Sequence, residues 1–340
     1  MNILLMGPRM NRKDPRYIGG AIAVFEELIT QFDNVNIQYC VIDTNKKNYS
    51  NIFSAYLSII IQTFIHQRGC THISLHSSRD YLLLGFIIIF IGKVFDKKTS
   101  LRKFGGEALN VYEQSKGIKK SALKFIFSNI DVLFFEIKHM VRFFSKMNTH
   151  CFWFPNVRNR TIEPDIPRSF QKKFVFISHV RKEKGIDEII DATKRLDESY
   201  TIDIYGPILD KKYTKEYFAK HNISYKGALQ SNEVLKTLNK YDVLLLPTYY
   251  KGEGYPGIII EAYSLGIPIL TTTLHGIKEI VDVYKTGILI EPKNVEELVN
   301  AIKYFNKENY VSLSQNAYNK FDDFKSDIQT KLFLEHLKNV

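Results

Sequence analysis

The segment from Tyr241 to Leu270, YDVLLLPTYYKGEGYPGIIIEAYSLGIPIL, constrains the fold of this chain more than any other. Tyr241 to Pro247 is an almost unbroken apolar run, as expected of a strand buried on both faces at the centre of a parallel sheet. A glycine-rich loop follows, then a helical pattern from Ile258 to Leu265 and a second strand from Pro268 to Thr272. Strand, loop, helix and strand make one α/β unit, and ligands of such units bind at the carboxyl ends of the strands. There the helix start offers free backbone N–H groups and the positive end of its dipole, a ready site for a diphosphate. Gly257 would let the ligand approach the backbone with no Cβ in the way. Glu253 precedes the helix and Glu261 lies one turn inside it. Either alone reads equally well as a solvated carboxylate, but together in this frame they mark a site.

The same alternation runs along the rest of the chain, which indicates parallel sheets. In the first block Ile3 to Met6 reads as a strand, followed by a loop through Gly19 and Gly20 and a helix from about Ala21 to Gln31. Ile37 to Ile42 (strand), Tyr49 to Gln67 (helix), His72 to His76 (strand) and Tyr81 to Phe95 (helix) complete it. A break comes at FPNVRNRTIEPDIPRSF, where Pro155, Pro164 and Pro167 interrupt any regular period; the interdomain linker is expected there. The second block restarts with Lys173 to Ser178, a basic turn, the helix Ile186 to Leu196 and the strand Tyr200 to Tyr205. Asn232 to Asn239 reads as a helix, and the last helices run from about Val295 onward. With 340 residues and 45% apolar content, two domains are expected, 1–160 and 161–315. A C-terminal helix, 316–340, is expected to pack back toward the first.

Composition narrows the class. The start, MNILLMGPRMNRK, reads as a first strand rather than a secretory signal. Leu82 to Ile91 is the greasiest run, but Gly92 and Lys93 cut it well short of the roughly 20 residues that a membrane span needs, so it reads as a buried helix. Cys40, Cys70 and Cys151 have no metal-like spacing, which fits a reducing cytosol. Residues 1–165 carry a formal net charge of +9 and residues 166–340 only +2. A basic first half suits an anionic membrane surface or a phosphate-bearing acceptor. Candidate clusters are Lys97, Lys98, Arg102 and Lys103, then Lys116, Lys119, Lys120 and Lys124, and binding through them would be peripheral and salt-reversible. No nucleic-acid-binding motif accompanies the charge, so nucleic acid is not an expected partner.

GEGYPGIIIEA resembles the signature of family 4 retaining glycosyltransferases of the GT-B fold (glycosyl transferases group 1): Glu, seven residues, Glu. The resemblance implies α/β architecture, with two Rossmann-like domains facing each other across a cleft. It implies that Glu253 holds the donor sugar hydroxyls and that Glu261 binds the ribose. Gly254, Tyr255, Pro256, Gly257 and Ile258 between them would bind the donor. VFISHVRKEKGIDEII resembles the family's G-R-L-x-x-x-K-G turn, whose basic pair holds the donor diphosphate. Lys184 matches the lysine and Gly185 follows it. His179 stands at the arginine position, and Arg181, two residues on, is the other candidate for the second cation. YKGALQSNEV resembles the segment that cups the base, bringing in Gly227. Gly19 and Gly20 match the glycine pair that abuts the donor phosphates. His76, ending a strand, is either a donor or acceptor contact or a satisfied core histidine. Arg102 is a further candidate contact. Gly105 and Gly106 stand where many members carry a catalytic-site histidine, so that role is not carried over.

The expected function is transfer of a hexose-type sugar, with retention, from a nucleotide-diphosphate sugar to a glycan or lipid-linked acceptor. Bacterial surface polysaccharide is the expected setting, in the cytoplasm or peripherally at the inner face of the membrane. No two aspartates are spaced by one residue, so the Asp-x-Asp metal site of the rival GT-A architecture is missing, and neither a metal nor a cofactor is expected. Leaving-group charge would instead be stabilised by Lys184, by His179 or Arg181, and by the helix start near Ile258. Two alternatives remain: a nucleotide-sugar epimerase of the same architecture, and a non-catalytic nucleotide-sugar-binding paralogue. GEGYPG also fits Gly-x-Gly-x-x-Gly, but a dinucleotide oxidoreductase is disfavoured. Gly252 lies five positions beyond Pro247, and Glu253 would face the pyrophosphate with like charge.

Overall fold

The computed structural model describes residues 1–12, 19–221, 223–274 and 276–340. The chain divides into two compact units: Met1–Val157 with Ser326–Val340, and Arg158–Lys325.

The first unit holds a six-stranded, wholly parallel sheet. Its strands are β1 (Asn2–Gly7), β2 (Gln38–Asp43), β3 (His72–Ser77), β4 (Lys98–Lys103), β5 (Val132–Phe135) and β6 (Cys151–Trp153), in the order β2-β1-β3-β4-β5-β6. The chain steps one way from β1 to β2 and the other way from β3 onward. Right-handed crossovers therefore put the helix Gly20–Asn34 on one face and the helices Ile52–His66, Tyr81–Phe95 and Gly117–Asn129 on the other. The helix Ser326–Lys338 packs beside Gly20–Asn34, and Phe32, Phe134, Phe154 and Phe333 join one core beneath them.

The second unit repeats the plan with β7 (Lys173–Ile177), β8 (Thr201–Tyr205), β9 (Ser224–Gly227), β10 (Val243–Leu246), β11 (Ile269–Thr272) and β12 (Gly287–Ile290). Their order is β12-β11-β10-β7-β8-β9, again all parallel. Val243, Leu244 and Leu245 are fully buried, each contributing roughly 1.5–3 kcal/mol of apolar burial. The proline-bearing stretch after Val157 is fastened to this unit. Arg158 pairs backbone to backbone with Phe324, Arg160 donates to the carbonyls of Ser264 and Tyr318, and Arg168 donates to those of Asn239 and Tyr241.

Three expectations need correction. The Tyr81–Phe95 helix is not buried all round: Leu84, Ile88 and Ile91 face the sheet, while Leu83, Phe86, Phe90 and Val94 are exposed. Arg102 and Lys103 are not surface charges. They lie on the central strand β4 at 0% and 4% exposure, where desolvation holds their pKa values down to about 9 and about 8. The helix expected over 316–340 is two, Lys307–Lys320 and Ser326–Lys338, separated by a short turn whose Phe321 and Phe324 are buried.

Candidate active site

In an open parallel sheet the ligand site lies where neighbouring strands send their connections in opposite directions. In the second unit that point falls between β7 and β10. The turn after β7 carries His179, Arg181 and Lys184, and the loop after β10 carries Glu253.

The two segments are laced together. Glu183 gives its carbonyl to the Tyr249 amide at 2.8 Å and to the Thr248 hydroxyl at 3.2 Å. The Thr272 hydroxyl donates to the Thr248 carbonyl at 2.5 Å, anchoring the loop to β11. Gly185 has φ +83°, and a Cβ there would lie 2.3 Å from the Pro247 carbonyl oxygen. Only glycine therefore lets the turn close against the loop.

This closure brings Lys184 onto Glu253. The ammonium donates to both carboxylate oxygens, at 2.8 Å to Oε2, and the two side chains are each 9% exposed. The Tyr250 ring lies 5.5 Å from the Lys184 Nζ and 4.9 Å from the Arg181 guanidinium. Arg181 is held by both oxygens of Glu183 at 3.0 Å. The His179 imidazole sits at the surface of the turn. Partial desolvation, then the cations of Lys184 and Arg181, hold its pKa below the ordinary 6.5. At pH 7 it is neutral and offers a hydrogen bond rather than a charge.

Beyond Glu253 the helix Gly257–Ser264 begins, with Pro256 as its N-cap residue. Tyr255 is buried, its hydroxyl donating to Glu279 at 2.8 Å, and this pins the loop just before the helix. Gly254, Gly257 and Ile258 are only partly covered. Glu261 accepts from Arg158 Nε at 2.8 Å. A Cβ on Gly257 would lie 2.2 Å from Arg158 Nη2, so the guanidinium lies across the first residue of the helix. A cation at the positive end of a helix is unfavourable by itself. Glu261 offsets it here, and an incoming anion would do the same. Sequence reasoning missed Arg158: it sits 103 residues from Glu261 in a stretch with no periodic signal. Gly227, at the end of β9, has φ +89° and accepts from the Gly206 amide at 2.9 Å.

The first unit has its own switch point between β1 and β3. A concavity of about 410 Å³ lies there, lined by Gly19, Gly20, Lys46, His76, Arg79 and Asp80 among others. Among the described residues, a Cβ on Gly19 or Gly20 would meet nothing within 4 Å. His76 is fully buried against the rings of Phe25, Phe104 and Phe333. Its Nε2 shares a hydrogen bond with Ser74 at 3.0 Å, while Nδ1 has no partner among the described residues. Burial pushes its pKa well below the ordinary value, with Arg102 adding to the effect. Arg102 is clamped between Phe104 and Phe154 and donates to the Pro155 carbonyl at 2.5 Å, leaving Nε and Nη1 without partners among the described residues. Among the described residues no three of His, Cys, Asp and Glu converge where a metal ion could sit.

Comparison with known proteins bears on both units. Residues 159–320 match the family model of glycosyl transferases group 1. Over 144 residues, 40% of this chain, the sequence is 26% identical to glycogen synthase of Mycobacterium tuberculosis. Over 146 residues, also 40% of the chain, it is 27% identical to WcaL of Escherichia coli K12, provisionally named a colanic acid biosynthesis glycosyltransferase. These matches span 34% and 36% of the relatives, so the chain covers about a third of their length. The structure of Anabaena HepE in complex with UDP superposes with a TM-score of 0.77 over 100% of both chains at 13% identity, and its UDP-glucose complex with 0.74. Residues 159–320 are thus similar to the glycosyl transferases group 1 family, and the chain as a whole has the GT-B fold.

Proposed function

We propose that this protein is a retaining, metal-independent glycosyltransferase that moves a hexose from a nucleoside-diphosphate sugar to a glycan or lipid-linked glycan. The observation that carries the reading is the pairing in the second unit: Lys184 with Glu253, and Arg158 with Glu261, on either side of the Gly257–Ser264 helix start. Two buried or half-buried carboxylates, each held by a cation beside open N–H groups, suit a ligand that is both polyhydroxylated and anionic.

In this reading the diphosphate lies against the N–H groups at Gly257 and Ile258. When the bond from the anomeric carbon to the phosphate oxygen breaks, negative charge gathers on that oxygen. Lys184, steadied by Glu253, answers that charge, and Arg181 and the neutral His179 add donors from the same turn. Glu253 accepts from the sugar hydroxyls. Glu261 accepts from the ribose, releasing part of its hold on Arg158, whose charge the phosphates then share. The acceptor oxygen attacks on the face the leaving group vacates, its proton passing to the departing phosphate, so configuration is retained. Anabaena HepE, solved with UDP and with UDP-glucose, supports a uridine donor. The names of the relatives support polysaccharide synthesis; the cytoplasm is the proposed place of work.

The test is thermal stabilisation by a panel of UDP-, GDP- and ADP-sugars. Stabilisation by a subset sharing one base, and its loss in Glu261→Ala, is the expected result. No response to any of them would overturn the reading.

A further inference from the structure

The helices Ile52–His66, Tyr81–Phe95 and Gly117–Asn129 form one layer over the first unit's sheet, and each turns an apolar stripe away from it. On the first, Phe53, Leu57, Ile61 and Ile65 recur every four residues and are exposed, Phe53 at 76%. On the second, Leu83, Phe86, Phe90 and Val94 recur every three or four residues and are exposed, Phe90 at 59%. On the third, Ile118 is 90% exposed and Phe125 40%. The stripes are joined: Phe64 meets Phe95 edge-on at 6.1 Å, and Phe86 stacks on Phe125 at 5.3 Å. The inward stripes, such as Ala55 and Ile59 or Leu84 and Ile88, already serve the core. The outer ones touch one another across the helices but lie outside that core, and a contiguous apolar face of this extent marks an interaction surface.

Charge decides the occupant. None of the three helices contains an aspartate or glutamate, whereas they carry Lys93, Lys119, Lys120 and Lys124, all exposed; just outside their ends stand Lys116, Lys97 and Lys98 against Asp80 and Asp96, so the face is basic on balance. Lys93 lies 5.9 Å from the Phe125 ring, at the seam of two stripes. A second copy of the chain would set this basic face against itself. An anionic bilayer would accept the rings among its acyl chains and the ammonium groups among its phosphates. Among the described residues no helix is long and apolar enough to cross a membrane, so the helices would lie in the interface.

We infer that this three-helix face is a membrane-docking surface for anionic lipid, which inserts its aromatic and aliphatic side chains rather than resting on charge alone. The inference goes beyond the transfer reaction. Vesicle binding needs no donor, so failure of one reading leaves the other standing.

The experiment is co-sedimentation of the full chain with vesicles of two parts phosphatidylcholine to one part phosphatidylglycerol, and with pure phosphatidylcholine. The wild type should bind the mixed vesicles and should retain part of that binding in high salt. Phe53→Glu with Phe90→Glu should lower the partition coefficient by about tenfold or more. Both positions are exposed, so the melting temperature and circular dichroism should not change. Lys93→Gln with Lys120→Gln and Lys124→Gln should remove the preference for the anionic vesicles. Three results would overturn the proposal: no binding of the wild type to either vesicle, unchanged binding of the aromatic double variant, or a wild-type dimer that this variant converts to monomer.

Discussion

Lys184 and Glu253, 69 residues apart, form a two-pronged ion pair with both side chains 9% exposed, and it exists only because Gly185 lets the turn after β7 close on the loop after β10. A pair so enclosed has two separable consequences. Removing one partner leaves a buried charge uncompensated, at a cost of about 3–5 kcal/mol. Lys184→Met should therefore lower stability by that order in urea unfolding. Lys184→Met with Glu253→Leu should recover most of it. Both variants should transfer sugar more slowly than wild type, by on the order of 10²–10³-fold. A double variant that recovered activity along with stability would separate the pair from the chemistry.

Glu261 and Arg158 are coupled through Gly257. Gly257→Ala would place a methyl 2.2 Å from the Arg158 guanidinium and displace it from the helix start. The fold should survive, because the atom displaced is the end of a long side chain. Affinity for the nucleoside diphosphate, measured by calorimetry, should fall by about tenfold, or about 1.4 kcal/mol. Glu261→Ala should produce a loss of the same order.

His179 is neutral at pH 7, because desolvation and the Lys184 and Arg181 cations hold its pKa below 6.5. The maximal rate should therefore be level from pH 7 to 8. A protonated imidazole acting on the leaving group would instead make the rate fall across it.

His76 links acid and stability. The unfolded chain takes up a proton near pH 6.5, whereas the buried imidazole does so only at lower pH. The unfolded state then binds more protons below 6.5, and stability is lost as pH falls, by up to about 1.4 kcal/mol per pH unit for one such group. His76→Phe, set among Phe25, Phe104 and Phe333, should flatten the decline in urea midpoint between pH 6.5 and 5 relative to wild type.

The α/β repeat, the strand ending at Leu246 and the spacing of Glu253 and Glu261 were legible because each is written in a local run of residues. The cationic partners were harder. Lys184 showed itself through its own turn, but its bond to Glu253 spans 69 residues, and Arg158 lies in a proline-bearing stretch with no periodic signal. Arg102 and Lys103 looked like surface charge because a count of lysines and arginines carries no depth. Strand β4 places them at the centre of the sheet, and an arginine clamped between Phe104 and Phe154 is visible only in three dimensions. The Tyr81–Phe95 helix misled for the opposite reason: apolar on every side, it gave no sign of which stripe the sheet would cover.

The central claim is that the second unit's paired charges bind and activate a nucleotide sugar without a metal. It is tested most directly by nucleoside-diphosphate release from UDP-glucose and a panel of other nucleotide sugars, in excess EDTA, by wild type and by Glu253→Gln. The account predicts release from at least one donor at a rate that EDTA leaves unchanged and that Glu253→Gln reduces about 10²-fold or more. Release abolished by EDTA and restored by magnesium or manganese, or equal release by wild type and variant, would contradict it.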